Sequence, residues 1–245
     1  MVEFTMRVAD CVIQVHANFE STQSFCGEYL CQAEPDFTVT VTAEDICRER
    51  QFSAQQDQQD GISPIEYPDY YLEVLALHRN IAEQLFDFDG LLFHGSVVAV
   101  DGAGYLFAAK SGTGKSTHTR LWRELLGQRA VMINDDKPLL RMTCGQVLAY
   151  GTPWNGKHRL STNAFVPLRA ICILERAEEN SIRRIPAKDA LVSLLQQSNR
   201  PMDVQKMPKY MELLDKLAQG VRFYRLQCNM DVEAAQIAYE AMKED

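Results

Sequence analysis

Short runs of alternating apolar and polar residues open the chain. In Val12-Ile13-Gln14-Val15 and Phe37-Thr38-Val39-Thr40-Val41 the period is close to two, which predicts strands. Residues 48–64 are polar and glutamine-rich and predict an exposed loop or hairpin tip. Residues 1–68 therefore predict a small, mostly β N-terminal subdomain. Beyond it, Leu72, Leu75, Ala76, Ile81, Ala82 and Leu85 recur at helical spacing, a helix leading into a second domain over residues 69–245. The apolar runs 91–100 and 105–109 are separated by Asp101-Gly102-Ala103-Gly104, a hairpin turn in which glycine takes positive φ. Gly102-x-Gly104 lacks the third glycine of a dinucleotide fingerprint and lies between two strands, so the hairpin reading is taken.

From Lys115 a helix runs to Leu126 and stops at Gly127, a C-cap. Strand-like runs follow at 130–133, 138–142 and 147–150, with a turn at Thr143–Gln146. Residues 169–175 and 181–185 read as a further strand pair, 187–198 and 206–219 as helices, 221–226 as a strand and 231–243 as a closing helix. Strands often succeed one another with no helix between them. The predicted class is α/β on a mixed sheet, with a helical C-terminal part.

A hydrophobic share of 46 % and a charged share of 24 % are ordinary for a globular protein. The formal net charge of −8 argues against nucleic acid and anionic membranes as partners. No apolar run is long enough to span a bilayer, and the first residues have no apolar block, so a secretory signal is not expected. Seven scattered cysteines without framework spacing read as reduced thiols of a cytoplasmic protein. A metal site built on Cys26, Cys31 and Cys47 is the competing reading, set aside because free cysteine is commonly buried.

The chemistry begins at Ala108–Thr117, where a strand runs through a glycine loop into a helix. Gly112 and Gly114 let successive backbone N–H groups converge on one anion, and the helix N-terminus adds partial positive charge there. Ser111, Gly112, Thr113, Gly114, Lys115, Ser116 and Thr117 thus predict a phosphate cradle for ATP. Lys115 would reach the β and γ phosphates and Ser116 would ligate Mg²⁺. Ala109 stands where the strict motif has glycine.

Downstream, Asp135 and Asp136 end a short apolar strand. One acid can hold the metal while the other accepts a proton from an attacking hydroxyl. Asp135 is assigned as base and Asp136 as metal group, with the reverse order open. His94 interrupts an apolar run ahead of the hairpin and is a candidate catalytic or phosphate-contacting residue. In the loop 150–163, Lys157 and Arg159 are candidates to neutralise a transferring phosphoryl group, and Trp154 either stacks on a base or anchors the loop.

His94-Gly95-Ser96, a hairpin, Ser111-Gly112-Thr113-Gly114-Lys115-Ser116-Thr117 and then Asp135-Asp136 resemble HPr kinase/phosphorylase and the nucleotide domain of ATP-dependent phosphoenolpyruvate carboxykinase. The resemblance is specific over residues 90–140 and extends more weakly over 150–175. It implies a carboxykinase-like P-loop fold with His94, Lys115 and Asp135 at catalytic positions, Ser116 on magnesium, and oligomeric assembly. The activity expected is ATP/Mg²⁺-dependent phosphoryl transfer to a hydroxyl of a small molecule or a protein serine. The competing class is an ATP-sensing module that gates a partner protein.

Overall fold

A computed structural model describes residues 1–59, 61, 63–110 and 112–243. The chain divides into two compact units, Met1–Gln84 and Leu85–Asp245.

In the first unit β1 (Val2–Val8) and β2 (Cys11–Ala17) form an antiparallel hairpin, and β3 (Phe37–Thr40) adds to β2 in parallel. Helices α1 (Glu20–Cys26), α2 (Ala43–Gln59) and α3 (Asp69–Leu85) accompany this sheet, α3 belonging to the unit up to Gln84. The glutamine-rich stretch expected as a loop is helical through Gln59. The reason is local: no glycine or proline interrupts 43–59, and a reciprocal cap starts the helix. Thr42 N donates to Asp45 Oδ2 at 2.8 Å and Asp45 N to Thr42 Oγ1 at 3.2 Å, a capping box with aspartate in place of glutamate. Cys26 is buried, its thiol pushed up to about 12 by burial, while Cys47 is exposed.

The second unit contains β4 (Gly90–Leu92), β5 (Ser96–Val100), β6 (Ala103–Ala108), α4 (Lys115–Leu126), β7 (Ala130–Asn134), β8 (Leu139–Thr143), β9 (Gln146–Tyr150) and β10 (Phe165–Arg176). It continues through β11 (Ser181–Ile185), α5 (Ala187–Gln197), α6 (Met207–Gly220), β12 (Arg222–Cys228) and α7 (Val232–Lys243). Among the described residues, nine strands form one mixed sheet along the path β4-β8-β9-β10-β6-β5-β7, with β12 also on β10 and β11 on β12. The expected pairing of β10 with β11 is corrected: β11 pairs with β12, because β12 lies parallel to the C-terminal half of β10 and intervenes.

The hairpins owe their tightness to residues that tolerate positive φ. Asp101 (φ 51°) and Gly102 (φ 80°) turn β5 into β6, and Cys144 (φ 50°) and Gly145 (φ 77°) turn β8 into β9. Both faces of the sheet are covered, so β6 is apolar at every position along its inner length. Leu106 and Ala108 face a core shared with Leu194 of α5 and Leu213, Leu214 and Leu217 of α6. Tyr105 and Phe107 face the opposite core, with Leu121 and Trp122 of α4 and Ala235 and Ala238 of α7.

His118, in the first turns of α4, is part of that second core. Its ring packs edge-on against Phe107 with centroids 4.7 Å apart, and its Nε2 accepts the Trp122 indole N–H at 3.0 Å. Burial lowers its pKa from 6.5 to about 4. Between those values the unfolded chain binds the proton and the folded chain does not. Stability is therefore complete above pH 6.5 and falls as the pH drops toward 4, by up to about 3 kcal/mol. His118→Gln should flatten this part of the pH–stability profile, read by thermal unfolding between pH 4 and 7; an unchanged slope would assign the acid sensitivity elsewhere.

Candidate functional site

Strand directions bring the site together. β6, β7 and β10 run the same way and β5 runs opposite, so the ends of β6, β7 and β10 and the start of β5 share one edge of the sheet. The glycine loop, Asp135-Asp136, Arg176 and His94-Gly95-Ser96 are therefore neighbours there. Sequence spacing alone does not impose that juxtaposition.

The loop after β6 is shaped by its glycines. Gly112 (φ +75°) and Gly114 (φ +123°) hold backbone conformations that strain any L side chain, although a Cβ at either would meet nothing within 4 Å. Conformation, not space, requires glycine here. Thr113 N bonds Lys110 O at 3.2 Å, and α4 starts directly after Gly114 with no side chain capping it. Its first-turn N–H groups are left to an anion or to water. Ser116 and Thr117 sit half-buried in that turn, and Ser111 lies outside the described residues.

Lys115 is buried. Its Nζ donates to Ala109 O at 3.0 Å, the one hydrogen bond of this ammonium among the described residues. Burial lowers its pKa; the Asp136 carboxylate opposes that and Lys137 adds to it. A desolvated cation with donors to spare suits an anionic ligand. Arg176, at the end of β10, occupies the carbonyls of the loop by donating to Thr113 O at 3.3 Å and to Gly112 O. The sequence gives no signal for that role.

His94 Nε2 and Asp136 Oδ1 lie 3.3 Å apart. The hydrogen bond to Asp136 pushes the His94 pKa up, but burial and the cations Lys137 and Lys115 outweigh it, and the net shift is downward. Burial raises the Asp136 pKa, but His94, Lys137 and Lys115 together lower it on balance, so Asp136 stays a carboxylate. The backbone locks the pair in place: Gly95 N donates to Asp136 O at 3.0 Å and Ser96 Oγ to Asp135 O at 2.8 Å. Asp135 is 5 % exposed, and its Oδ1 accepts the Gly156 N–H at 2.6 Å. A Cβ at residue 156 would stand 3.2 Å from Asp135 Oδ2, so glycine permits this close approach.

Asn134 joins the two halves of the site. Its Oδ1 accepts from Asp136 N at 2.8 Å and Lys137 N at 2.7 Å, a local turn of the kind asparagine favours. Its Nδ2 reaches Thr152 Oγ1 at 3.0 Å and the carbonyls of Thr152 and Trp154 at 3.2 and 3.3 Å. Thr152 closes the ring by donating to Lys137 O at 2.9 Å. Asn134 and Thr152 are both fully buried. Asn134→Ala should therefore cost about 2–4 kcal/mol by stranding several buried partners, measured by denaturant unfolding; a loss under about 1 kcal/mol would mean that water replaces the amide.

Trp154 is buried at 4 % exposure and serves as the anchor of its loop. Lys157 and Arg159 lie exposed on the same loop, beside the Gly156 that holds Asp135. Asn134, Thr152, Gly156, Lys137 and Arg176 are site residues beyond those read from sequence. Only Asn134, placed before an Asp-Asp turn, carried a recognisable local signal. Among the described residues no cluster of three or more histidine, cysteine or carboxylate side chains could hold a metal by itself, and no helix is long and apolar enough to cross a membrane.

A family model described as "SynChlorMet cassette protein ScmC" matches residues 69–233, more than half of the chain. The chain belongs to the ScmC family. The matched span contains the loop, Asp135-Asp136, His94, the 150–163 segment and Arg176. A search of curated proteins found no match for this ScmC-family chain. Among solved structures it is similar to the Hpr(Ser) kinase/phosphatase from Coxiella burnetii, with 10 % identity, a TM-score of 0.34, and coverage of 62 % of this chain and 99 % of that one.

Proposed function

We propose that this ScmC-family protein is an ATP/Mg²⁺-dependent phosphotransferase that moves the γ-phosphoryl group to an alcohol. The observation that carries the reading is the buried, under-bonded Lys115 ammonium set in a glycine loop at the same sheet edge as Asp135 and the His94–Asp136 pair. The architecture is read as a carboxykinase-like P-loop fold, on the order of hairpin, loop, helix and acidic strand end along the chain.

The residues suit the nucleotide and its metal. Lys115 and the N–H groups of residues 112–117 match a polyphosphate in charge and donor type. Ser116 and Asp136 offer one hydroxyl and one carboxylate, which suits Mg²⁺, an ion that takes its remaining ligands from phosphate and water. The ion would neutralise charge that builds on the phosphate oxygens.

In this reading Asp135 takes the proton of the attacking hydroxyl through the carboxylate oxygen that Gly156 leaves unoccupied. His94, uncharged near neutral pH by its lowered pKa, and the ionised Asp136 orient the phosphoryl end, and Lys157 and Arg159 screen its charge from the loop rim. The acid–base set is what favours catalysis over ATP sensing alone. The cytoplasm is the compartment that fits an ATP-consuming enzyme, and a homo-oligomer is the assembly we expect.

The test is ATP consumption by the purified protein with Mg²⁺ across candidate acceptors, with Lys115→Ala as control. Lys115-dependent transfer to an acceptor supports the kinase. Tight ATP binding without turnover on any acceptor would replace it with a nucleotide sensor that gates a partner.

A further inference from the structure

We infer that Arg176 is a positioning residue of the nucleotide site, setting the direction in which the glycine loop presents its N–H groups to the phosphates. The inference rests on the phosphotransferase reading above and deepens it, because it names what holds the cradle in its binding form. Register puts the residue there. β10 runs parallel to β6 with Ile173 opposite Ala108, so Arg176, three residues past Ile173, stands level with the loop that leaves β6. The side chain is exposed, yet both arms of its fork are committed to backbone: Nε donates to Thr113 O at 3.3 Å and Nη2 to Gly112 O. Among the described residues Arg176 forms no ion pair, and the neighbouring carboxylate, Glu175, is taken by Arg225 Nη1 at 2.6 Å.

The hydrogen bonds of the loop divide cleanly between its two kinds of backbone group. Ala109 O accepts Lys115 Nζ at 3.0 Å, and Lys110 O accepts Thr113 N at 3.2 Å. Gly112 O and Thr113 O accept Arg176, and Gly114 O accepts His118 N at 2.9 Å. The carbonyls of these five residues are thus all occupied. The N–H groups of Gly114, Lys115, Ser116 and Thr117, by contrast, have no protein acceptor among the described residues. A trans peptide points its N–H opposite its C=O. Holding Thr113 O on Arg176 therefore aims the Gly114 N–H away from the end of β10, and it adds a fourth free amide to the three in the first turn of α4.

Sterics do not fix that orientation. Thr113 is flanked by Gly112 (φ +75°) and Gly114 (φ +123°), and a Cβ at either would meet nothing within 4 Å. The peptide groups on both sides of Thr113 can therefore rotate at small steric cost. Lys110 O holds the first of them through Thr113 N. The second, between Thr113 and Gly114, is held among the described residues by Arg176. A loop that flips this peptide offers a carbonyl where a phosphate needs a donor, and apparent affinity drops with the fraction of molecules that remain competent. The fork has an electronic effect as well. A guanidinium bonded to a carbonyl polarises the peptide and strengthens the N–H at its other end. A lysine ammonium keeps the charge but lacks the planar fork that spans two carbonyls.

The experiment compares the full wild-type chain with Arg176→Met and Arg176→Lys. It reads Mg²⁺-ATP affinity by calorimetry, the thermal midpoint without nucleotide, and the Gly114 amide resonance of the nucleotide-free protein by ¹H–¹⁵N NMR. Arg176→Met should weaken ATP binding about tenfold or more and shift the Gly114 resonance. Because the side chain is exposed, the midpoint should stay within about 3 °C of wild type. Arg176→Lys should remain at least about threefold weaker than wild type. Full recovery in the lysine variant would mean that charge alone suffices, which overturns the orientation argument. An unmoved Gly114 resonance, or a midpoint that falls in step with affinity in both variants, makes Arg176 a structural side chain only. Unchanged ATP affinity in Arg176→Met overturns the assignment outright. In all these cases ATP binding by the wild-type chain still stands; its absence sinks the phosphotransferase reading itself, and this inference with it.

Discussion

Lys115→Ala is expected to eliminate phosphoryl transfer and to weaken ATP binding without unfolding the protein. The ammonium is buried with one carbonyl partner among the described residues, so their hydrogen bonding compensates its desolvation poorly until an anion arrives. On the proposed reading, removing it deletes a positive charge from the low-dielectric site where charge would accumulate in the transition state. The expected loss in kcat is about 10²–10³ or more, with a further loss in affinity. The same burial predicts the behaviour of the empty protein: its thermal midpoint should stay level or rise, because an unfavourable buried charge has gone. Calorimetry and a phosphoryl-transfer assay, run beside thermal unfolding, separate these effects. Unchanged turnover would remove the glycine loop from the mechanism.

Asp135→Asn carries the second large effect. The amide is nearly isosteric, and its oxygen can still accept the Gly156 N–H that Asp135 Oδ1 holds at 2.6 Å, so the fold of the 150–163 loop should survive. The remaining carboxylate oxygen is replaced by an NH₂ group, which cannot take a proton. Transfer should fall about 10²–10⁴-fold with nucleotide affinity nearly unchanged, the mark of a lost general base. A loss of Mg²⁺ dependence or metal affinity instead would exchange the roles of Asp135 and Asp136. The Asn134→Ala measurement provides a control, because it disturbs the support of both acids without changing either one.

Much of the second unit could be read from the chain. The hairpins at Asp101-Gly102 and Cys144-Gly145, the helix from Lys115 to Leu126 and the strand ending at Asn134 all lie where local pattern put them, since turn chemistry and apolar period are local properties. The first unit was less legible. Helix α2 is polar along most of its length, so apolar periodicity gave no sign of it; the capping box at Thr42–Asp45 was the signal that marked it. The pairing of β11 was illegible for a different reason, because strand partners depend on the parallel insertion of β12, which is distant in sequence.

The sequence by itself determined the glycine loop, the acidic pair and the histidine, because a residue type and its spacing suffice to state what chemistry a short segment can perform. The tertiary structure alone decided what those residues touch. It placed Arg176 on the loop carbonyls, tied Asn134 to Thr152 across the site and set Gly156 against Asp135. It also laid α5 beside His94, leaving a cavity at the loop. Each of these contacts joins segments far apart in the chain, and only the strand order and the packing of helices on both faces of the sheet bring them within hydrogen-bonding distance.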